Sequence, residues 1–276
     1  ADIEAGSGII DLAARDNVNS VLLEPTLTVA DGVTLSARGD WVNDLLVRPG
    51  PPYRAALVNG GSVTLTADVK APSGVYDAQG KIELGQNTLI DVGSGGRVRS
   101  DGKVLTGKGG DITVAAYSVT GVDRNLSGYA TGKGGKITLT SHDIKIGGSV
   151  DAAYGTLNLD AGFFERGGFA DFSLTALDHL TVADGTQIEP TVLSLDLLPE
   201  YTLRSTSSRV DDFARRVKLD DQVRQAANLT LSAKQSGAGH GDIVIGAGSR
   251  IQVDPKASIK LEARNKIDIE GELVAH

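Results

Sequence analysis

The sequence predicts an all-β fold: a right-handed parallel β-helix, or solenoid, running as a single rod segment over residues 1–276, with loop excursions and one short helical insertion. Three observations lead there. Glycine is abundant, 35 of 276 residues, without the every-third-residue period of collagen. Short apolar-x-apolar units recur at regular spacing. No apolar stripe of 3.6-residue period accompanies them, which excludes a helical repeat.

The repeat is clearest near the C-terminus, where Ile243, Ile251, Ile259 and Ile267 stand eight residues apart. Two places after each comes another aliphatic residue: Ile245, Val253, Leu261 and Ile269. Alternation puts both apolar side chains of a unit on one face of a short strand. Gly, Asp, Pro, Asn and Lys fill the corners between units, and three such sides make one turn. Upstream the unit reads Gly-x-apolar-x-aliphatic, beginning at Gly8, Gly61, Gly80, Gly110, Gly135, Gly155 and Gly241. Neighbouring units between Gly61 and Gly155 lie 19, 30, 25 and 20 residues apart, the length expected of one turn. TGKGG occurs at Thr106 and Thr131, and LTVADG at Leu27 and Leu180. Glycine is expected at the corners because it accepts left-handed backbone conformations. At roughly 4.8 Å per strand, about ten turns would give a rod of roughly 50 Å. An antiparallel sandwich is the competing fold, but its two-residue hairpin signals are confined to three Asp-Gly pairs.

Three stretches break the repeat and are expected to leave the rod. Residues 37–61 hold the only Trp and three prolines. Residues 161–173 contain Phe163, Phe164, Phe169 and Phe172, four of the five phenylalanines. Residues 199–228 lack glycine and are dense in charge; Val210, Phe213, Ala214 and Val217 share one helical face, so the spacing predicts an amphipathic helix with a kink near Asp220. That helix would cover a sheet face or dock a partner.

Composition removes several functions. The formal charge is −8, the wrong sign for a phosphate-backbone binder, so no nucleic-acid partner is expected. No apolar run approaches 20 residues, so the chain is not expected to be membrane-embedded. Cysteine is absent, which removes disulfides, thiolate nucleophiles and cysteine zinc sites. Methionine is absent and no signal segment opens the chain, as expected of an excised piece.

The Gly-x-Ile-x-Leu turns, the repeated TGKGG, the GDWVNDL and GFFERGGFADFSL stretches and the lack of cysteine together resemble filamentous-haemagglutinin-type exoproteins, the secreted partners of bacterial two-partner secretion systems. The resemblance covers essentially the whole chain. It implies a β-helical stalk segment of a large secreted surface adhesin, with an outer-membrane two-partner secretion transporter as the parent chain's partner, and roles in adhesion, biofilm matrix or contact-dependent interaction. The family's N-terminal secretion domain and a toxin-like C-terminal domain are not evident, so an internal or late segment of a much longer polypeptide is expected.

No catalytic residue, cofactor or metal site is expected. His142, His179, His240 and His276 are isolated in sequence, none at metal-ligand spacing. Asp111, Asp242 and Asp268 are the carboxylates that a polysaccharide-degrading β-helix enzyme would use, and they also suit strand corners. GAGHGDIVI from Gly237 is the nearest approach to a calcium-binding repeat, but it lacks paired glycines and is not tandem. Arg38, Gly39 and Asp40 form an RGD tripeptide, which acts in cell attachment when presented on an exposed loop. Exopolysaccharide or a host-surface glycan could be recognised by Trp41 with Asn43 and Asp44, or by Phe163 and Phe164 with Arg166. Aromatic faces stack on sugar rings while polar neighbours bind hydroxyls. A dedicated carbohydrate-binding module is therefore the alternative to a stalk, and burial of the same aromatics as core is the structural alternative.

Overall fold

The computed structural model describes residues 2–17, 24–46, 57–70, 76–78, 80–122, 125–151, 153–235 and 240–275. Strands make up 47% of the chain, most of them in parallel sheets, and the described residues contain no helix of seven or more residues. Among them, no helix is long and apolar enough to cross a membrane. Gly237 and His276 lie outside the described residues, as do the three prolines of the first excursion.

The longest sheet orders the strands Ile9–Asn17, Ser62–Lys70, Asp111–Ala115, Gly135–Ser141, Phe169–Ala176, Asn228–Ala233 and Ile259–Ala263, each parallel to the next. Two side-chain rows cross it in register. One runs Ile10, Val63, Ile112, Ile137, Phe172, Leu229, Ile259; the other runs Leu12, Leu65, Val114, Leu139, Leu174, Leu231, Leu261. Residues between them, such as Thr64, Thr113 and Thr138, point the other way, as period-2 alternation requires. The two rows belong to one continuous hydrophobic core. Seven strands stack in this way, with Tyr76–Ala78 paired antiparallel beside Ser62–Lys70, and not about ten, because successive strand starts lie 53, 49 and 59 residues apart from Ile9 to Ser62, Ser62 to Asp111 and Phe169 to Asn228.

Between visits to this sheet the chain passes through shorter parallel sheets. Thr26–Val29, Lys81–Leu84 and Ser118–Thr120 form one. Thr156–Leu159, Asp143–Ile146, Leu180–Val182, Ile243–Ile245 and Ile267–Ile269 form another. The eight-residue spacing near the C-terminus has a direct structural meaning. Ile243, Ile251 and Ile259 lie in three different sheets, and Ile267 then pairs beside Ile243. The upstream spacings of 19 to 30 mix destinations. The units at Gly8, Gly61, Gly110 and Gly135 enter the longest sheet, whereas those at Gly80, Gly155 and Gly241 enter shorter ones.

Glycine at most of these motif starts has a reason other than the expected one. Gly155 and Gly241 do have positive φ, but Gly61, Gly110 and Gly135 do not. There the strands stack too closely for a side chain. A Cβ on Gly61 would lie 1.9 Å from the Gly8 carbonyl oxygen, and one on Gly110 would lie 1.9 Å from that of Gly61.

The three excursions are corrected in extent and kind. Residues 37–43 do not leave the body: Trp41–Asn43 pairs parallel with Gly96–Val98. The second excursion narrows to a 3₁₀ turn, Ala161–Glu165, before Phe169 enters the longest sheet. The helix expected within 199–228 is absent. That stretch begins with 3₁₀ turns at Pro199–Leu203 and Val210–Asp212, and then strand Ala214–Val217 pairs antiparallel with Ser194–Leu197. A 3₁₀ turn also brings positions i and i+3 to one side, so Val210 and Phe213 are both buried without an α-helix. Leu219 and Val223, which fall off the predicted stripe, are exposed.

Candidate functional site

Two places gather chemistry: a groove beneath the 199–213 segment and a corner where histidines converge. The groove begins at the edge strand Trp41–Asn43. Trp41 is 1% exposed, with its ring edge-on to Phe213 at 4.8 Å and to Tyr201 at 6.3 Å. Together with Val98, Tyr129, Leu195 and Val210 these form a second, separate apolar cluster. Asn43 is the clasp. Its side-chain amide donates to the Thr202 and Arg204 carbonyls, both at 2.8 Å, and its Oδ1 accepts from the Leu45 N–H at 3.1 Å. Asp44 accepts from Arg97 Nε at 2.8 Å. Neither Asn43 nor the Trp41 face is therefore free to meet a sugar as the sequence suggested; both hold the 199–213 segment down.

Trp41 leaves one polar atom unanswered. Its indole N–H is buried without a hydrogen-bond partner, as is Nη1 of Arg38. Both residues line a groove of about 260 Å³ with Gly39, Asp40, Ser207, Ser208 and Arg209. Arg38 faces Asp91 and Asp211 at 3.7 Å, and Arg209 faces Asp91 at 3.8 Å. Those separations are charge contacts beyond hydrogen-bond length, so the guanidinium N–H groups retain capacity for a ligand.

The RGD tripeptide forms one wall of this groove and is not a protruding loop. The Gly39 N–H donates to the Gly93 carbonyl at 2.9 Å and the Asp40 N–H to the Leu57 carbonyl at 2.8 Å. The Arg38 side chain is largely buried in its ion pairs. An integrin-type contact needs Arg and Asp side chains extended from a free loop, and this backbone is pinned on both sides.

The phenylalanine group is core. Phe163, Phe164, Phe169 and Phe172 are each 5% exposed or less, with ring centroids 5.3 to 6.2 Å apart among contacting pairs. They offer no ring face to solvent. Arg166, beside them in sequence, is half-exposed and pairs with Asp160.

The second place was not legible in the sequence. Asp178 lies two residues beyond strand Phe169–Ala176, level with Asp143, which lies two residues beyond Gly135–Ser141; the two strands are in register. Asp178 is buried, and His240 Nδ1 reaches its Oδ2 at 2.9 Å. The Gly241 N–H donates to Oδ1 at 3.1 Å, and His179 Nε2 lies 3.5 Å from the same oxygen. Burial opposes the charge on Asp178, but the hydrogen bonds from His240 and Gly241 and the nearby imidazoles together outweigh it. The carboxyl is thus held below its ordinary range. Beside it, Asp143 accepts the His179 N–H at 2.9 Å and meets His142 Nδ1 at 3.0 Å. Burial, then the charges of Asp143 and Asp178, push the Tyr117 hydroxyl above its usual value. The ring of Tyr117 sits 4.3 Å from that of His142 and 5.7 Å from that of Tyr154.

Of the carboxylates weighed for an enzyme, Asp242 and Asp268 lie at neighbouring paired strands about Lys266, and Asp111 lies in a different sheet, the longest. Asp242 bonds Asn265, and Asp268 bonds Lys266. Comparison with protein-family models, with curated proteins and with solved structures returns no match.

Proposed function

We propose that this chain is a segment of right-handed parallel β-helix that acts as a non-enzymatic stalk and adhesion segment of a large secreted bacterial surface adhesin, whose parent chain leaves the cell through an outer-membrane two-partner secretion transporter. The observation that carries this reading is the pair of aliphatic rows crossing seven parallel strands in register. Stacked strands bonded rung to rung over a continuous apolar interior give reach and stiffness from a simple repeat. Adhesion or biofilm attachment is the use such a body serves.

A second reading, a carbohydrate-binding module on the same body, is favoured by the groove. Arg38 and Arg209, with the Ser207 and Ser208 hydroxyls and the unpartnered Trp41 indole N–H behind them, offer donors to an acidic saccharide such as a uronate-bearing exopolysaccharide, in a groove that Glu4 and Asp40 also line. Buried donors without partners are costly unless a ligand satisfies them.

Binding of the chain and of Arg38→Ala to a panel of acidic and neutral exopolysaccharides and host glycans separates the two. Saturable binding of an acidic glycan, lost in Arg38→Ala, makes this a recognition segment. No binding across the panel leaves the stalk alone. Release of unsaturated or reducing sugar ends from any panel member overturns both non-enzymatic readings.

A further inference from the structure

We propose that Asp178, His179 and His240 form a binding site for a divalent transition-metal ion of the zinc class, fastening together two corners that are far apart in sequence. Each residue contributes one ligand atom: an Asp178 carboxylate oxygen, a His179 ring nitrogen and a His240 ring nitrogen. These atoms lie within 4.8 Å of one another. The donor set is two imidazoles and one carboxylate, which suits zinc, cobalt or nickel and not calcium or magnesium, ions that require mostly oxygen.

Three features of the corner fit a metal better than a plain hydrogen-bonded pair. Asp178 is 6% exposed, and among the described residues its salt-bridge partners are only the two imidazoles. A buried carboxylate without a Lys or Arg gains most from a cation. The surrounding backbone already orients the ligands, as metal sites require of their outer shell: the Gly241 N–H fixes one Asp178 oxygen, and Asp143 fixes the His179 backbone. The two rings are stacked, with centroids 6.2 Å apart and planes at 18°, and both turn a nitrogen toward the same carboxylate. Ligand–metal distances near 2.0–2.2 Å require the two rings, each about half-exposed, to turn so that their in-plane nitrogen lone pairs meet at one point beside Asp178. Their exposure also leaves room for water at the open position.

Binding would displace the His240–Asp178 hydrogen bond and release any proton on the liganding nitrogens to solvent. The outcome is a cross-link between residues 62 positions apart.

The test uses the full chain with His276→Ala as background, so that the terminal imidazole contributes nothing. Co2+ is titrated and followed by its visible absorption, and Zn2+ is then added in competition. One Co2+ per chain, displaced by Zn2+, is the expected result. His179→Ala and His240→Ala should each weaken binding at least about tenfold, while His142→Ala leaves it unchanged. Zn2+ should raise the Tm of the parent chain and not that of His179→Ala. Asp178→Asn is read only beside circular dichroism, since it alters a buried group. Absence of a Co2+ band at millimolar metal, or equal affinity in the parent, His179→Ala and His240→Ala chains, overturns the proposal.

Discussion

Two aromatic clusters in this molecule are both buried and differ in what surrounds them. Phe163, Phe164, Phe169 and Phe172 merge into the main core and leave no polar atom unanswered. Trp41, Phe213 and Tyr201 form a separate cluster on the flank, under a segment clasped by Asn43, and leave an indole N–H unpaired beside a groove. Burial alone thus does not separate an aromatic of the main core from one that lines a groove. The polar handle does. Phenylalanine has none to satisfy, whereas a buried tryptophan normally finds an acceptor.

Phe164→Ala tests the core side of this contrast most severely. It should cost about 3–5 kcal/mol in urea unfolding and leave glycan binding per folded molecule unchanged. Asn43→Ala comes next. Losing the clasp strands two carbonyls and one N–H, for a cost of about 2–3 kcal/mol. It should also raise protease cleavage within 199–213 before global unfolding.

Trp41→Phe sharpens the distinction, because it removes the unpaired donor with part of the indole while keeping an aromatic ring against Phe213. The smaller ring should cost about 1–3 kcal/mol in denaturant unfolding, while affinity for an acidic glycan per folded molecule falls about tenfold, the equivalent of roughly 1.4 kcal/mol. A smaller effect is expected at Asp178. Its carboxyl is depressed, so its stabilisation is present above the unfolded-state value and lost as pH falls through the folded one. Below about pH 4, the parent chain should therefore lose more stability than Asp178→Asn in parallel melts. Arg166→Ala, which breaks a half-exposed pair with Asp160, should change stability by less than about 1 kcal/mol.

The parallel all-β architecture was legible because its units are local: an apolar-x-apolar strand and a glycine are contained in five residues. The reason for many of the glycines was not. Whether a carbonyl of the preceding strand crowds Gly61 or Gly110 depends on partners about 50 residues away. The 199–228 segment was misread because the i, i+3 spacing of Val210 and Phe213 suits a 3₁₀ turn as well as an α-helix. The antiparallel partner that makes Ala214–Val217 a strand is a neighbour that periodicity within the segment does not reveal. The histidine corner was missed for a related reason. His142, His179 and His240 look isolated until Gly135–Ser141 and Phe169–Ala176 are set in register, which brings Asp143 level with Asp178, and until the turn before Ile243 delivers His240 onto the same carboxylate.

The ladders also have a mechanical consequence. Backbone hydrogen bonds between stacked parallel strands point along the direction of stacking, so a pull in that direction loads them in tension, with the seven strands of the longest sheet in series. A force that opens one interface leaves its neighbours intact. The body would then lengthen by peeling one strand layer at a time, dissipating work in small steps and re-closing when the tension drops. On the proposed adhesin reading, that stepwise extension would act as a shock absorber under fluid shear.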